Sequence, residues 1–111
     1  MRSANALLIV EADADASPCL LAKSTDYAAS QRPIIIVSNA DSAQVRIMGG
    51  HAGVHCVPHN AKLIAEQLIA AHKQPLQAPT DLAAMFAPDE VAARYVDGMA
   101  LALQDFSARC N

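Results

Sequence analysis

Two short apolar runs constrain this chain most: Ala6 to Ala12, ALLIVEA, and Pro33 to Ser38, PIIIVS. Neither alternates with polar residues, and three isoleucines stand in a row in the second, so each reads as a strand buried on both faces. Strands of that kind belong to parallel sheets covered by helices, and parallel neighbours need a crossover between them. The segment between the runs is long enough for one. Ser17 before Pro18 has the order of an N-cap followed by a first helical turn, which predicts a helix over Pro18 to Ser30 that Arg32 and Pro33 stop.

The remaining elements follow from caps and breakers. Asn39 to Ser42 supply capping groups for a short helix through Met48, ended by Gly49 and Gly50. Gly53 to Val57 predicts a third strand, closed by Pro58. Asn60 caps an amphipathic helix, Ala61 to Lys73, with Leu63, Ile64 and Leu68 on one side and Lys62, Glu66 and Gln67 away from it. Thr80 is placed to cap a short helix ending near Phe86. Pro88, Asp89 and Glu90 open a last helix, on which Val91, Tyr95, Met99, Leu103 and Phe106 recur at helical spacing, so this tail docks on something apolar. The expected fold is a three-layer, Rossmann-like α/β half-domain of about three parallel strands flanked by helices, plus a C-terminal helical tail. A core over residues 1–73, a connector over 74–79 and a tail over 80–111 make one unit, which suits 111 residues.

Several classes of function are disfavoured at once. A net charge of −3 with eight scattered basic residues gives no footprint for nucleic acid. The apolar runs are too short to span a bilayer, and the amino terminus turns acidic before any cleavage-site pattern, so the expected location is the cytoplasm. Cys19, Cys56 and Cys110 are odd in number and widely spaced, which suits free thiols. His51, His55, Cys56 and His59 cluster in sequence, but glycines and Pro58 argue against a helix there and a strand turns His55 and Cys56 to opposite faces; they read as ordinary strand and loop residues. No nucleophile elbow, P-loop or dinucleotide fingerprint is present.

Lys23, Asp26, Tyr27, Ala29, Arg32, Pro33, Ile34 and Ile35 stand in the order and spacing of a segment from the donor domain of retaining GT-B glycosyltransferases. The chain resembles the carboxy-terminal, nucleotide-sugar-binding part of that family over nearly its whole length, from ALLIVEA to the closing FAPDEVAARYVDGMALAL. The resemblance implies a site at the carboxyl ends of the strands. There the loop Ala14 to Leu21 would face a diphosphate through the amides of Leu20 and Leu21, Lys23 would lie near the phosphates, and Asp26 would accept hydrogen bonds from the ribose hydroxyls. Two departures stand out: Pro18 occupies the place of the first of two family glutamates, and Gln31 that of the usual glycine. The i, i+3 spacing of Lys23 and Asp26 equally suits a plain surface ion pair.

The acceptor domain is lacking, so the expectation is a stand-alone fragment with at most weak binding of a nucleoside diphosphate or nucleotide sugar, no catalytic residues and no metal or other cofactor. Catalysis would need a separate acceptor-domain chain. One alternative is a degenerate response-regulator receiver, with Glu11, Asp13 and Asp15 as its acids and Ser38 as switch hydroxyl, although Val57 stands where a lysine is expected. Another is a small oligomeric interaction module. A narrow sheet leaves the edge of Ala6 to Ala12 open, which predicts a homodimer through that edge or through the C-terminal helix.

Overall fold

The computed structural model describes residues 4–15, 17, 20–74 and 76–110. At its centre β1 (Leu7–Val10), β2 (Ile34–Val37) and β3 (Val54–Val57) form one sheet in the order β1-β2-β3, with both pairs parallel. Among the described residues five helices follow the chain: α1 (Lys23–Ala29), α2 (Ala43–Met48), α3 (Ala61–Lys73), α4 (Leu82–Met85) and α5 (Pro88–Cys110). This is the α/β half-domain expected, with crossover helices joining parallel strands.

The middle strand explains the sheet. Ile34, Ile35 and Ile36 are each at most 1% exposed, and β-branched side chains fit a pleated surface covered on both sides. Each such burial is worth roughly 2 kcal/mol against an exposed reference. On one face Ile9, Ile34, Ile36 and Val54 pack with Ala28 of α1, Met48 of α2 and Leu82 of α4. On the other, Ile35, Val37 and Val57 pack with Ala71 of α3, joined by Ile64 and Leu76. The sheet is thus the middle of three layers.

β1 departs from the expectation of burial on both faces. Leu7 and Ile9 are buried, but Leu8 is 41% and Val10 59% exposed. Their register opposite Ile35 and Val37 puts them on the face covered by α3, and α3 packs chiefly against β3, leaving an open depression between Leu8 and Leu68.

α1 is shorter than predicted. It starts at Lys23 behind Ala22, which makes no side-chain cap, so Ser17 is not its N-cap. The Ser17 carbonyl instead accepts from the Ala43 amide at 2.8 Å, tying this loop to the start of α2; Pro18 lies outside the described residues. The caps of α2 and α3 behave as read. Ser42 accepts from the Val45 amide at 3.1 Å, and Asn60 from those of Lys62 and Leu63 at 3.1 Å each. On α3 the buried stripe is turned by about one residue: Ile64 and Gln67 are half-buried and Ala71 buried, whereas Leu63 and Leu68 are 40% and 43% exposed. Asp81, not Thr80, precedes α4 at the N-cap position.

Two backbone positions shape the edges of the core. Gly53, at φ +82°, leads into β3, and a β-carbon there would lie 2.5 Å from the Gln77 carbonyl oxygen and 2.6 Å from the Pro79 nitrogen. The connector thus crosses β3 at a distance only glycine permits. Gln31 sits at φ +53°, in the left-handed region, where the chain turns from α1 toward β2. Glycine is the residue best suited to that geometry, which is the physical content of the departure noted at this position.

The apolar side of the tail finds little to dock on within the described residues. All of α5 is exposed, and it meets the body near its start, against α4 and in a groove that Val91 and Tyr95 line with Leu20 and Ile47. No helix among the described residues is long and apolar enough to cross a membrane.

Candidate functional site

In a parallel sheet every strand delivers its loop to the same edge, and every following helix presents its amino terminus there. Here that edge is formed by Glu11, Ser38 and Pro58, the residues that follow the three strands. Two more ladder bonds extend the sheet into it, from Glu11 N to the Val37 carbonyl and from Ser38 N to the Val57 carbonyl, both 3.0 Å. They fix the side chains of Glu11 and Ser38 side by side. Glu11 is 6% and Ser38 4% exposed, and the Ser38 hydroxyl donates to Glu11 Oε2. A carboxylate so deeply placed needs such a donor. The Asn39 side-chain amide donates to the Ala14 carbonyl, so the loop after β1 is strapped to the end of β2. Asp13 and Asp15 remain exposed on this loop, and Glu11 is turned inward, away from any joint role with them.

The residues that the resemblance nominates lie further along the same loop. Leu20 and Leu21 are half-buried and pack their side chains on the core face carried by Ile9 and Ile34. The Leu21 amide, which the resemblance would aim at a diphosphate, donates to Gln44 Oε1 at 3.1 Å. Gln44 is fully buried on α2. Its Oε1 also accepts from the Ser24 hydroxyl at 3.0 Å, while its Nε2 lies 2.7 Å from Ser24 Oγ and contacts Met48 Sδ. This network holds the loop against α2, and the sequence reading missed it. The available signal was a glutamine lying between Ala43 and Met48 on a short helix whose apolar neighbours point inward.

Lys23 and Asp26 lie one turn apart on α1 and both are exposed. Among the described residues no ion pair joins them, so the surface-pair reading of their spacing has no counterpart here. Tyr27 is half-buried on the core and Pro33 is buried, as fold residues. Ala29 is exposed, and its neighbour Ala28 is the alanine that fills the core.

The histidine-rich stretch separates in space. His51 Nδ1 pairs with Asp81 Oδ2 at 3.0 Å, linking the turn before β3 to the start of α4, and this hydrogen bond holds the Asp81 carboxyl below its ordinary range. Cys56 is exposed as a residue, but desolvation raises its thiol above the ordinary value, which keeps it protonated. His59 Nε2 is buried without a hydrogen-bond partner among the described residues. Among those residues no three His, Cys, Asp or Glu side chains stand together as a metal site would require.

A depression of about 250 Å³ lined by Gln31, Arg32, His72 and Leu76 opens elsewhere, at the amino edge of the sheet. It faces the wrong end of the strands for loop amides and helix amino termini to meet a ligand. Compared with protein-family models, curated proteins and solved structures, the chain matches none of them.

Proposed function

We propose that this chain is a nucleotide-binding half-domain resembling the donor-binding part of a GT-B glycosyltransferase, with weak affinity for a nucleoside diphosphate or nucleotide sugar. The observation that carries this reading is the carboxyl edge of the parallel sheet. There a strapped loop runs from the buried Glu11 and Ser38 pair into a helix whose Lys23 and Asp26 are exposed and not paired with one another. In this reading Asp26 takes the ribose diol, since one carboxylate accepts two hydrogen bonds. Lys23 approaches the phosphates with the amides of Leu20 and Leu21. The Leu21 amide would exchange the neutral Gln44 oxygen for a charged phosphate oxygen, and hydrogen bonds to charged acceptors are the stronger kind.

Half a donor site gives no sugar transfer by itself, and catalysis would need an acceptor domain as well. The free thiols of Cys56 and Cys110 suit a reducing compartment, and the proposed setting is the cytoplasm. The receiver-like alternative gains less support: Glu11 is engaged with Ser38, and Val57 replaces the expected lysine.

The interaction-module reading rests on a separate observation, the exposed apolar residues of α5, of which Tyr95 is 71% and Phe106 66% exposed. We therefore add that the chain self-associates as a homodimer, through the open edge at Ala6 to Ala12 or through α5. Calorimetric titration with uridine and guanosine diphosphates and their sugars, with and without magnesium, tests the binding claim. Saturable heat that Asp26→Ala abolishes is the expected result, and no heat from any of them would refute it.

A further inference from the structure

We infer that α5 pairs with α5 of a second copy, antiparallel, about a twofold axis passing between Met99 and Ala102. This rests on the self-association proposed above and selects its interface.

α5 has 23 residues and so extends about 34 Å. Tyr95, Met99, Leu103 and Phe106 lie on one side of it and are 63–71% exposed. A solvated apolar stripe of that length is uncommon on an isolated protein. The body covers only its start, where Val91 and Tyr95 line a groove with Leu20, Ile47, Met85 and Phe86.

Charge selects the occupant and its direction. Arg94 borders the same apolar depression as Tyr95, Gly98, Met99 and Ala102, so it stands at the rim of the stripe. Asp105 comes eleven residues later, close to three full turns, and falls on the same rim. An antiparallel pair sets Arg94 against the partner's Asp105 at both ends. A parallel pair would carry the partner's rim to the opposite side of the seam, so that neither Arg94 nor Asp105 would meet its complement. Each side chain already holds an ion pair on its own helix, Arg94 with Glu90 at 3.2 Å and Arg109 with Asp105 at 2.9 Å. Joining them gives four alternating charges at each end. In the same register Tyr95 meets the partner's Phe106, and Met99 meets the partner's Ala102, large against small. The four large side chains of the stripe and Val96 beside it, each with roughly 100 Å² still accessible, would bury about 1,000 Å² over both copies, the area a specific interface should clear.

The test is sedimentation equilibrium of the full chain over a concentration series, with circular dichroism to follow the helix. The wild type should dimerise, and Arg94→Glu or Asp105→Arg should each weaken the dimer about tenfold. Combining the two should return it to within about threefold of wild type. Recovery cannot come from repair within one helix, because Glu90 would still face an acid and Arg109 a base. In a background with Cys19 and Cys56 changed to serine, oxidation should give no Cys110-linked dimer, since an antiparallel pair holds these thiols about 30 Å apart. A Cys110-linked dimer would overturn the direction. A dimer insensitive to Met99→Glu and to both charge reversals would overturn the α5 interface while leaving self-association by the strand edge. A monomer at every concentration would overturn both.

Discussion

Replacing Gln44 with leucine should loosen the loop that leads from β1 into α1. The substitution nearly keeps the volume, so the core face around Met48 and Leu82 stays filled, but it removes the oxygen that accepts from the Leu21 amide and the Ser24 hydroxyl. Each buried donor left unpaired costs about 1–3 kcal/mol, and no longer burying the glutamine amide returns part of that. The net loss should be about 2–3 kcal/mol, which lowers the urea midpoint by roughly 1 M at the slope usual for small domains. Ser24→Ala removes one of the two donors, so Gln44→Leu combined with Ser24→Ala should cost less than the two separately by about 1–2 kcal/mol. Hydrogen exchange supplies a local readout, with the Leu21 amide losing protection in Gln44→Leu before the strand amides do. A Gln44→Leu protein as stable as wild type, or a cycle that is strictly additive, would refute the claim that this network pins the loop.

Other positions give further expected outcomes. Gly53→Ala combines left-handed strain of about 1–2 kcal/mol with a β-carbon 2.5 Å from the Gln77 carbonyl, so chemical denaturation should show a loss of about 3 kcal/mol or more. Gln31→Gly should relieve the strain at φ +53° and, after the extra freedom of the unfolded chain, stabilise by about 0.5–1 kcal/mol, seen as a higher Tm. The pairing of Asp81 with His51 lowers the Asp81 carboxyl from 3.8, so its contribution to stability is present above that value and lost as pH falls through the lower folded value. Asp81→Asn should therefore flatten the acid limb of a stability-against-pH curve below about pH 4.

The elements of this fold were legible where a local rule decides them. β2 was readable from its isoleucines because a strand in the middle of a sheet is covered whichever way its side chains point. α3 was readable at both ends, since Asn60 caps its start and the connector from Gln74 ends it. The exposed face of β1 was not readable, because it depends on how many helices pack on that side, and among the described residues α3 is the helix that does. For the same reason the buried stripe of α3 runs through Ile64, Gln67 and Ala71 instead of including Leu63 and Leu68. The start of α1 was misread from a capping pattern, because Ser17 spends its carbonyl on α2.

The site was legible in part. Glu11 and Ser38 were visible as polar residues at strand ends, but their hydrogen bond follows from the parallel register of β1 and β2, a long-range fact. The coupling of Leu21 and Ser24 to Gln44 spans twenty or more residues of sequence and has no local signature. The exposure of Lys23 and Asp26 required knowing which face of α1 the Ala28 side chain holds against the sheet.

The central claim is that the carboxyl edge of the sheet binds a nucleotide, and amide chemical-shift mapping tests it most directly on a protein of 11.7 kDa. Titrating the labelled chain with uridine and guanosine diphosphates should move the amides of Leu20, Leu21, Lys23, Asp26, Glu11 and Ser38 together along saturable curves, and Asp26→Ala should abolish the movement. Shifts confined to the amino edge around Gln31, Arg32 and His72, or no saturable shift with either diphosphate, would contradict it.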